Sequence, residues 1–311
     1  MTPTKKTKLA PHLALFAVQF LFAIWPIMGK IALRAIPSTG VVAFRAGGSA
    51  ILLLLLQRVW GGKKIERKDY TRLAVYSLLG IVVNQLLFLK GLELSTAINA
   101  ALLAVTIPVF ALLVSAALGR DKLTWRKVAG VGLAAAGVVY LIDPSRANFS
   151  QGTAAGNLLM VANALAYGAY IAISQDVFQR YGATTALAWI FLFGAIITVP
   201  IGAYNSSGVR WAALGWQIWL AIFLIILLTV TAYFLNAWAL ARVNPSTVAV
   251  YIYLQPLIAF ALAPLVLGET WNSRTVSAAL LIFCGVALVT RKVSTRSGSD
   301  GVATELSSQV K

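Results

Sequence analysis

Three shortages in this sequence narrow its chemistry before any motif is sought. Cys284 is the single cysteine and lies in an apolar run, which excludes an intramolecular disulfide and a cysteine-based metal cluster. His12 is the single histidine and precedes the first long apolar stretch, so histidine acid–base chemistry and metal ligation have almost nothing to work with. Only 11% of the residues are charged and nine are acidic, against about 25% charged in soluble domains. No metal or cofactor is expected from such a set.

What is present is apolar: 59% of the 311 residues are hydrophobic. They fall into blocks long enough to cross a bilayer, where a helix needs about 20 apolar residues because every backbone polar group must be satisfied within the segment. Ten blocks are predicted to span, at 11–34, 39–58, 71–92, 97–118, 125–142, 154–178, 184–203, 214–240, 246–267 and 272–290. Turn-forming stretches separate them, among them Pro37-Ser38-Thr39-Gly40, Gly61-Gly62, Asp143-Pro144-Ser145 and Asn244-Pro245-Ser246. The fold class is thus an all-α integral membrane protein, with residues 1–10 as a short N-terminal segment. The Ser- and Gly-rich tail, 293–311, is expected to be disordered. Lys5, Lys6 and Lys8 resemble the start of a signal peptide, but the run behind them reaches Met28, longer than a signal core, and is read as the first retained span.

The net charge of +17 would suggest nucleic acid in a soluble protein. Here the basic residues lie between the apolar blocks. Placing the N-terminus in the cytoplasm puts 19 of the 26 on that side and six on the other, with Arg45 left inside the second span. This is the positive-inside asymmetry, so both termini are expected to be cytoplasmic in a multi-pass cell-membrane protein of the bacterial inner-membrane type. The charge is explained by topology and anionic lipid, and no nucleic-acid partner is expected.

Sliding the chain by 148 residues lays the third to fifth spans on the eighth to tenth without a gap. Pro108 then falls on Pro256, Asp121 on Glu269, Arg126 on Arg274 and Gly137-Val138 on Gly285-Val286. An odd number of spans per copy forces the second copy to insert upside down. The two copies are expected at 11–142 and 154–290, as inverted five-helix repeats of the kind that characterise many secondary transporters.

Trp25-Pro26-Ile27-Met28-Gly29-Lys30, Phe44-Arg45, Ala104-Val105-Thr106-Ile107-Pro108-Val109-Phe110 and Leu267-Gly268-Glu269-Thr270-Trp271 follow in an order and spacing that resembles the drug/metabolite transporter superfamily, specifically proteins with two EamA-type domains. The resemblance covers about residues 13 to 290. It implies metabolite or amino-acid export, in a superfamily that handles many substrates. Gly119-Arg120-Asp121 departs from the pattern, where the family commonly has Gly-Glu.

Candidate site residues follow from polarity and helix breaking at span centres. Proline removes a backbone donor and frees a carbonyl, so Pro26, Pro108 and Pro256 are expected to kink their helices, either beside a central cavity or only for packing. Polar side chains at bilayer depth turn inward. Asn84 and Gln85, the stripe Asn163, Tyr167 and Tyr170, Tyr233, Tyr251 and Gln255 qualify, with Trp25 as an aromatic wall; interhelical hydrogen bonding is the competing role. Lys30 either snorkels to the outer interface or meets an anionic substrate group, and Arg45 is near enough to its span's end to snorkel. No acid falls at a span centre, so no proton-coupling residue is evident. The sequence therefore predicts a transporter of amino acids or related amphipathic solutes, not an enzyme, working by alternating access. A lipid-modifying enzyme or flippase and a noncatalytic scaffold are the rival classes. The expected partners are the small solute and the lipid bilayer.

Overall fold

A computed structural model describes residues 5–95, 103–142, 145, 151–255, 257, 258 and 273–290. Among the described residues all regular structure is helical. In chain order the helices are α1 (Lys5–Ala32), α2 (Ser38–Trp60), α3 (Asp69–Ser77), a π-helical turn at Leu78–Val83, α4 (Asn84–Leu94), α5 (Thr106–Ala117), α6 (Trp125–Ile142), α7 (Gln151–Ile173), α8 (Gln175–Tyr181), α9 (Ala183–Asn205), α10 (Trp216–Leu240), α11 (Pro245–Val250) and α12 (Ser273–Thr290). Short 3₁₀ turns occupy Trp211–Ala213 and Tyr251–Tyr253.

Among the described residues, five stretches are long and apolar enough to cross a membrane: Ser38–Trp60, Asp69–Gly91, Thr153–Ile173, Ala183–Asn205 and Trp216–Leu240. Leu9–Ile24, Thr106–Ala117 and Val276–Thr290 are shorter apolar helices. The second half of the expected ninth span, from residue 259, the start of the fourth and the tail 293–311 lie outside the described residues. The sixth span differs from its expected extent of 154–178, because the helix stops at Ile173, turns at Ser174 and resumes as the separate α8. Gly182 and Gly61, both at positive φ, end α8 and α2 where a side chain would be strained.

The solvation pattern is that of a bilayer protein. Leu9, Leu13, Phe16, Phe20 and Ile24 form an exposed apolar stripe on α1, whereas Gln19, Gln85, Asn163 and Thr229 are buried among helices. Trp60, Trp125, Tyr204 and Trp216 stand exposed at helix ends, as an interfacial aromatic belt does.

Contacts between helices follow the 148-residue shift. α6 and α12 have bounds that coincide after the shift, and they pack closely on each other. A Cβ on Gly137 would lie 2.9 Å from Ile282 and 3.1 Å from the Ala278 carbonyl; one on Gly285 would lie 2.6 Å from both the Ala134 amide nitrogen and the Gly130 carbonyl. These contacts are reciprocal, since the shift carries Gly137 onto Gly285, Gly130 onto Ala278 and Ala134 onto Ile282. The helices cross antiparallel through glycine, the residue type that allows close backbone approach where no water drives association. α2 packs on α9 in the most extensive pairing, through Gly40 against Ser206, Gly47 against Val199, and Gly202 against Ala43.

Candidate substrate-binding site

The π-helical turn Leu78–Val83 organises the interior between the two halves. A π turn widens the helix and releases carbonyls from regular bonding. Here the Tyr233 hydroxyl of α10 donates to the Gly80 carbonyl at 3.4 Å. Gly80 has no side chain because Tyr170 fills that space; a Cβ there would lie 2.6 Å from the Tyr170 ring. Tyr233 is then held between two ring edges, Phe191 at 5.1 Å and Phe22 at 6.1 Å.

One turn further, Gln85 is 2% exposed, and neither its amide nitrogen nor its amide oxygen reaches a hydrogen-bond partner among the described residues. It lies beside the Tyr233 hydroxyl without closing a bond of ordinary geometry to it. A buried amide in that state costs about 1–3 kcal/mol. Its neighbour Asn84 serves the backbone, its carbonyl accepting from Asn163 Nδ2 at 2.6 Å. Asn163 thus fastens α7 to α4, while Tyr167 and Tyr170 on the same face of α7 stack at 5.9 Å and 22°. The expected polar stripe on this helix is one face with two jobs: a structural anchor and a ring pair.

Arg45 contradicts the snorkelling expectation. Phe44 packs edge-on against Trp219, but the Arg45 Nε donates to Thr229 Oγ1 at 3.0 Å, ten residues or about 15 Å deeper along α10. Thr229 is fully buried near the middle of that helix. The guanidinium therefore runs inward, 5.9 Å from the Tyr233 ring centroid, rather than back to the near interface. Insertion scales put a central arginine at about 2.5–3.5 kcal/mol unfavourable. The sequence did not mark Thr229, whose hydroxyl is indistinguishable there from any helix-satisfied threonine.

A second group joins α1 to the turn after α11. His12 Nδ1 and the Tyr251 hydroxyl are 2.9 Å apart, and Gln255 Nε2 donates to Gln19 Oε1 at 2.9 Å. Gln19, missed in the sequence, is buried and also donates to the Leu15 carbonyl. The Tyr253 hydroxyl donates to the Val105 carbonyl at 2.9 Å, and Thr106 Oγ1 to the Leu103 carbonyl at 2.6 Å. Residues 103 and 104 are helical, Val105 is a turn with right-handed backbone, and α5 begins at Thr106, so the helix is interrupted three residues before Pro108. Pro26 lies within the continuous helix α1. Its side chain and those of Trp25 and Lys30 lie outside the described residues, as does Pro256.

At the face that carries most of the basic residues, three acids tie the connectors together. Asp121, read from sequence as a loop residue, is buried and accepts from Lys127, Ser246 and, at 3.4 Å, Asn244, joining the α5–α6 connector to the start of α11. Asp176 accepts from the Tyr76 hydroxyl at 3.2 Å and Arg72 Nη1 at 3.4 Å. Asp69 accepts from the Tyr181 hydroxyl at 2.6 Å and Arg180 Nη1 at 2.7 Å.

Helices with apolar exteriors around buried amides, hydroxyls and a guanidinium define a multi-pass membrane protein with a polar interior. The EamA-like transporter family matches this chain twice, over residues 9–142 and 154–291, and the chain belongs to that family of membrane transporters. It is similar to an uncharacterized transporter of Archaeoglobus fulgidus, at 27% identity over 90% of this chain and 97% of that one. The uncharacterized transporter YetK of Bacillus subtilis is 22% identical, over 91% and 86% of the two chains. Protein WALLS ARE THIN 1 of Arabidopsis thaliana is 24% identical, over 91% and 82%. A crystal structure 20% identical superposes with a TM-score of 0.77 over 90% of this chain and 96% of its own, which establishes a shared fold.

Proposed function

We propose that this transporter moves amino acids or related amphipathic solutes by alternating access, with both repeats contributing to one site at mid-membrane depth. Ten spans in two inverted five-helix repeats, at 11–142 and 154–290, with both termini in the cytoplasm of a bacterial inner membrane, are the frame of this reading. The carrying observation is Gln85: a buried amide with no hydrogen-bond partner among the described residues, beside the Tyr233 hydroxyl. A polar solute group gives that amide its partners, while the Tyr167 and Tyr170 rings offer a flat apolar surface to the rest of the solute. The acids Asp69, Asp121 and Asp176 bridge connectors at the basic face, and their release is the opening step on that side.

Purified protein in liposomes, given a broad panel of labelled amino acids and amphipathic metabolites with and without a pH gradient, tests the reading. Saturable flux of at least one solute is expected. No flux for any solute, with modified or flipped lipid instead, overturns it.

A further inference from the structure

The sixth span breaks at Ser174 although Ile173-Ser174-Gln175-Asp176 contains neither proline nor glycine, so the break is imposed from outside the segment. In an unbroken helix the Val177 N–H would donate to the Ile173 carbonyl. Here that N–H donates to Asp176 Oδ1 at 3.0 Å, and the Ile173 carbonyl accepts from Arg120 Nη1 at 2.7 Å. Arg120 Nη1 also reaches the Ala172 carbonyl at 3.5 Å, and Arg120 Nη2 lies 3.6 Å from Asp176 Oδ2. The guanidinium thus holds the carbonyls before the break and the carboxylate after it. Arg120 belongs to the α5–α6 connector, in the Gly119-Arg120-Asp121 stretch that departs from the family pattern.

We propose that this break is a latch-held switch. With Arg120 engaged the span is bent; with Arg120 withdrawn, the Val177 N–H recovers the Ile173 carbonyl and residues 151–181 become one continuous helix. The bent form serves the closed basic face. It lets Asp176 accept from Tyr76 and Arg72 of α3, at 3.2 and 3.4 Å, and lets Gln175 Nε2 donate to the Leu240 and Val243 carbonyls at and beyond the end of α10, at 2.9 and 2.8 Å. Both residues lie in the first turn of α8, so straightening carries both off their partners together and opens that face. The inference rests on the reading of the basic face as one that opens, and it names the element that governs the opening. Asp121, next to Arg120, holds the start of α11, so a single connector of the first repeat grips two elements of the second. The Tyr170 carbonyl accepts the Ser174 N–H at 3.0 Å, which sets the switch one turn from the Tyr167 and Tyr170 ring pair.

Two readouts on the detergent-solubilised Cys284→Ser protein test the switch: the rate at which a hydrophilic maleimide labels a cysteine placed at Val177, which is 2% exposed on α8, and backbone hydrogen exchange over 174–181. A cysteine placed at Ala46, fully buried on α2, is the control. Arg120→Gln should raise labelling at Val177 by about tenfold. Exchange over 174–181 should not rise with it, because the segment passes from one helical form to another, and Ala46 should stay unlabelled. Arg120→Lys keeps the charge without the fork that spans the break, so it should give a smaller rise, and it serves if Arg120→Gln does not fold. Ser174→Gly, added to either variant, should bring labelling back by about twofold, because glycine disfavours the continuous helix. Labelling and exchange that rise together would mean that α8 melts, and labelling at Ala46 as well would mean general loosening; either result overturns the switch, as does an unchanged rate at Val177. None of these readouts needs a solute, so absence of flux for the whole liposome panel overturns the transporter reading separately.

Discussion

The Tyr253 hydroxyl donates to the Val105 carbonyl at 2.9 Å, and these residues are 148 positions apart, each occupying the other's place in the repeat. Gln85 and Tyr233 stand in the same relation and lie side by side. A residue touching its own repeat equivalent marks the pseudo-two-fold axis, so the two groups bracket the line about which the halves are related. Broken backbone at Val105 is tolerated at membrane depth only where it is covered by protein and its carbonyls find donors. Tyr253→Phe should lower the stability of the detergent-solubilised protein by about 1 kcal/mol. Thermal unfolding followed by tryptophan fluorescence checks this; an unchanged midpoint contradicts it.

Gln85→Leu separates function from stability. Replacing an unsatisfied buried amide with an apolar side chain of similar size should leave stability unchanged or raise it by about 1–2 kcal/mol, while solute flux is lost. Loss of stability with flux retained would assign Gln85 a purely structural role.

Gly285 and Gly132 offer a matched pair. A Cβ at Gly285 meets backbone at 2.6 Å, whereas nothing lies within 4 Å of one at Gly132. Gly285→Val should cost about 1–3 kcal/mol through overpacking of α6 on α12, and Gly132→Val much less. Monodisperse yield by fluorescence-detected size exclusion distinguishes them.

Asp121→Ala leaves Lys127 without its buried anion and frees the start of α11. Breaking such a pair from one side is worth about 3–5 kcal/mol. A cysteine placed at Ser246 in a Cys284→Ser background should become more reactive to a membrane-impermeant maleimide when Asp121→Ala is added. Unchanged labelling would mean the bridge does not hold that face closed.

Much of this was legible in the sequence, for identifiable reasons. Apolar length and turn residues locate helices well because the bilayer fixes both, and α6 begins and ends where the pattern does. The repeat was readable from Gly137 and Gly285 because close packing leaves glycine no substitute. Arg45 was misread because depth along the chain does not say which way a long side chain points; only its partner Thr229 does. Asp121 lies in the α5–α6 connector, between the expected spans, but its burial was not legible because its partners Asn244 and Ser246 lie on the other repeat.

The most direct measurement is the initial rate of solute uptake into proteoliposomes, as a function of concentration, for the wild type and for Tyr167→Ala reconstituted at equal yield. The wild type should saturate, and the variant should lose most of its uptake while unfolding at the same temperature. Uptake linear in concentration, or unaffected by Tyr167→Ala, would contradict a solute site on this tyrosine pair.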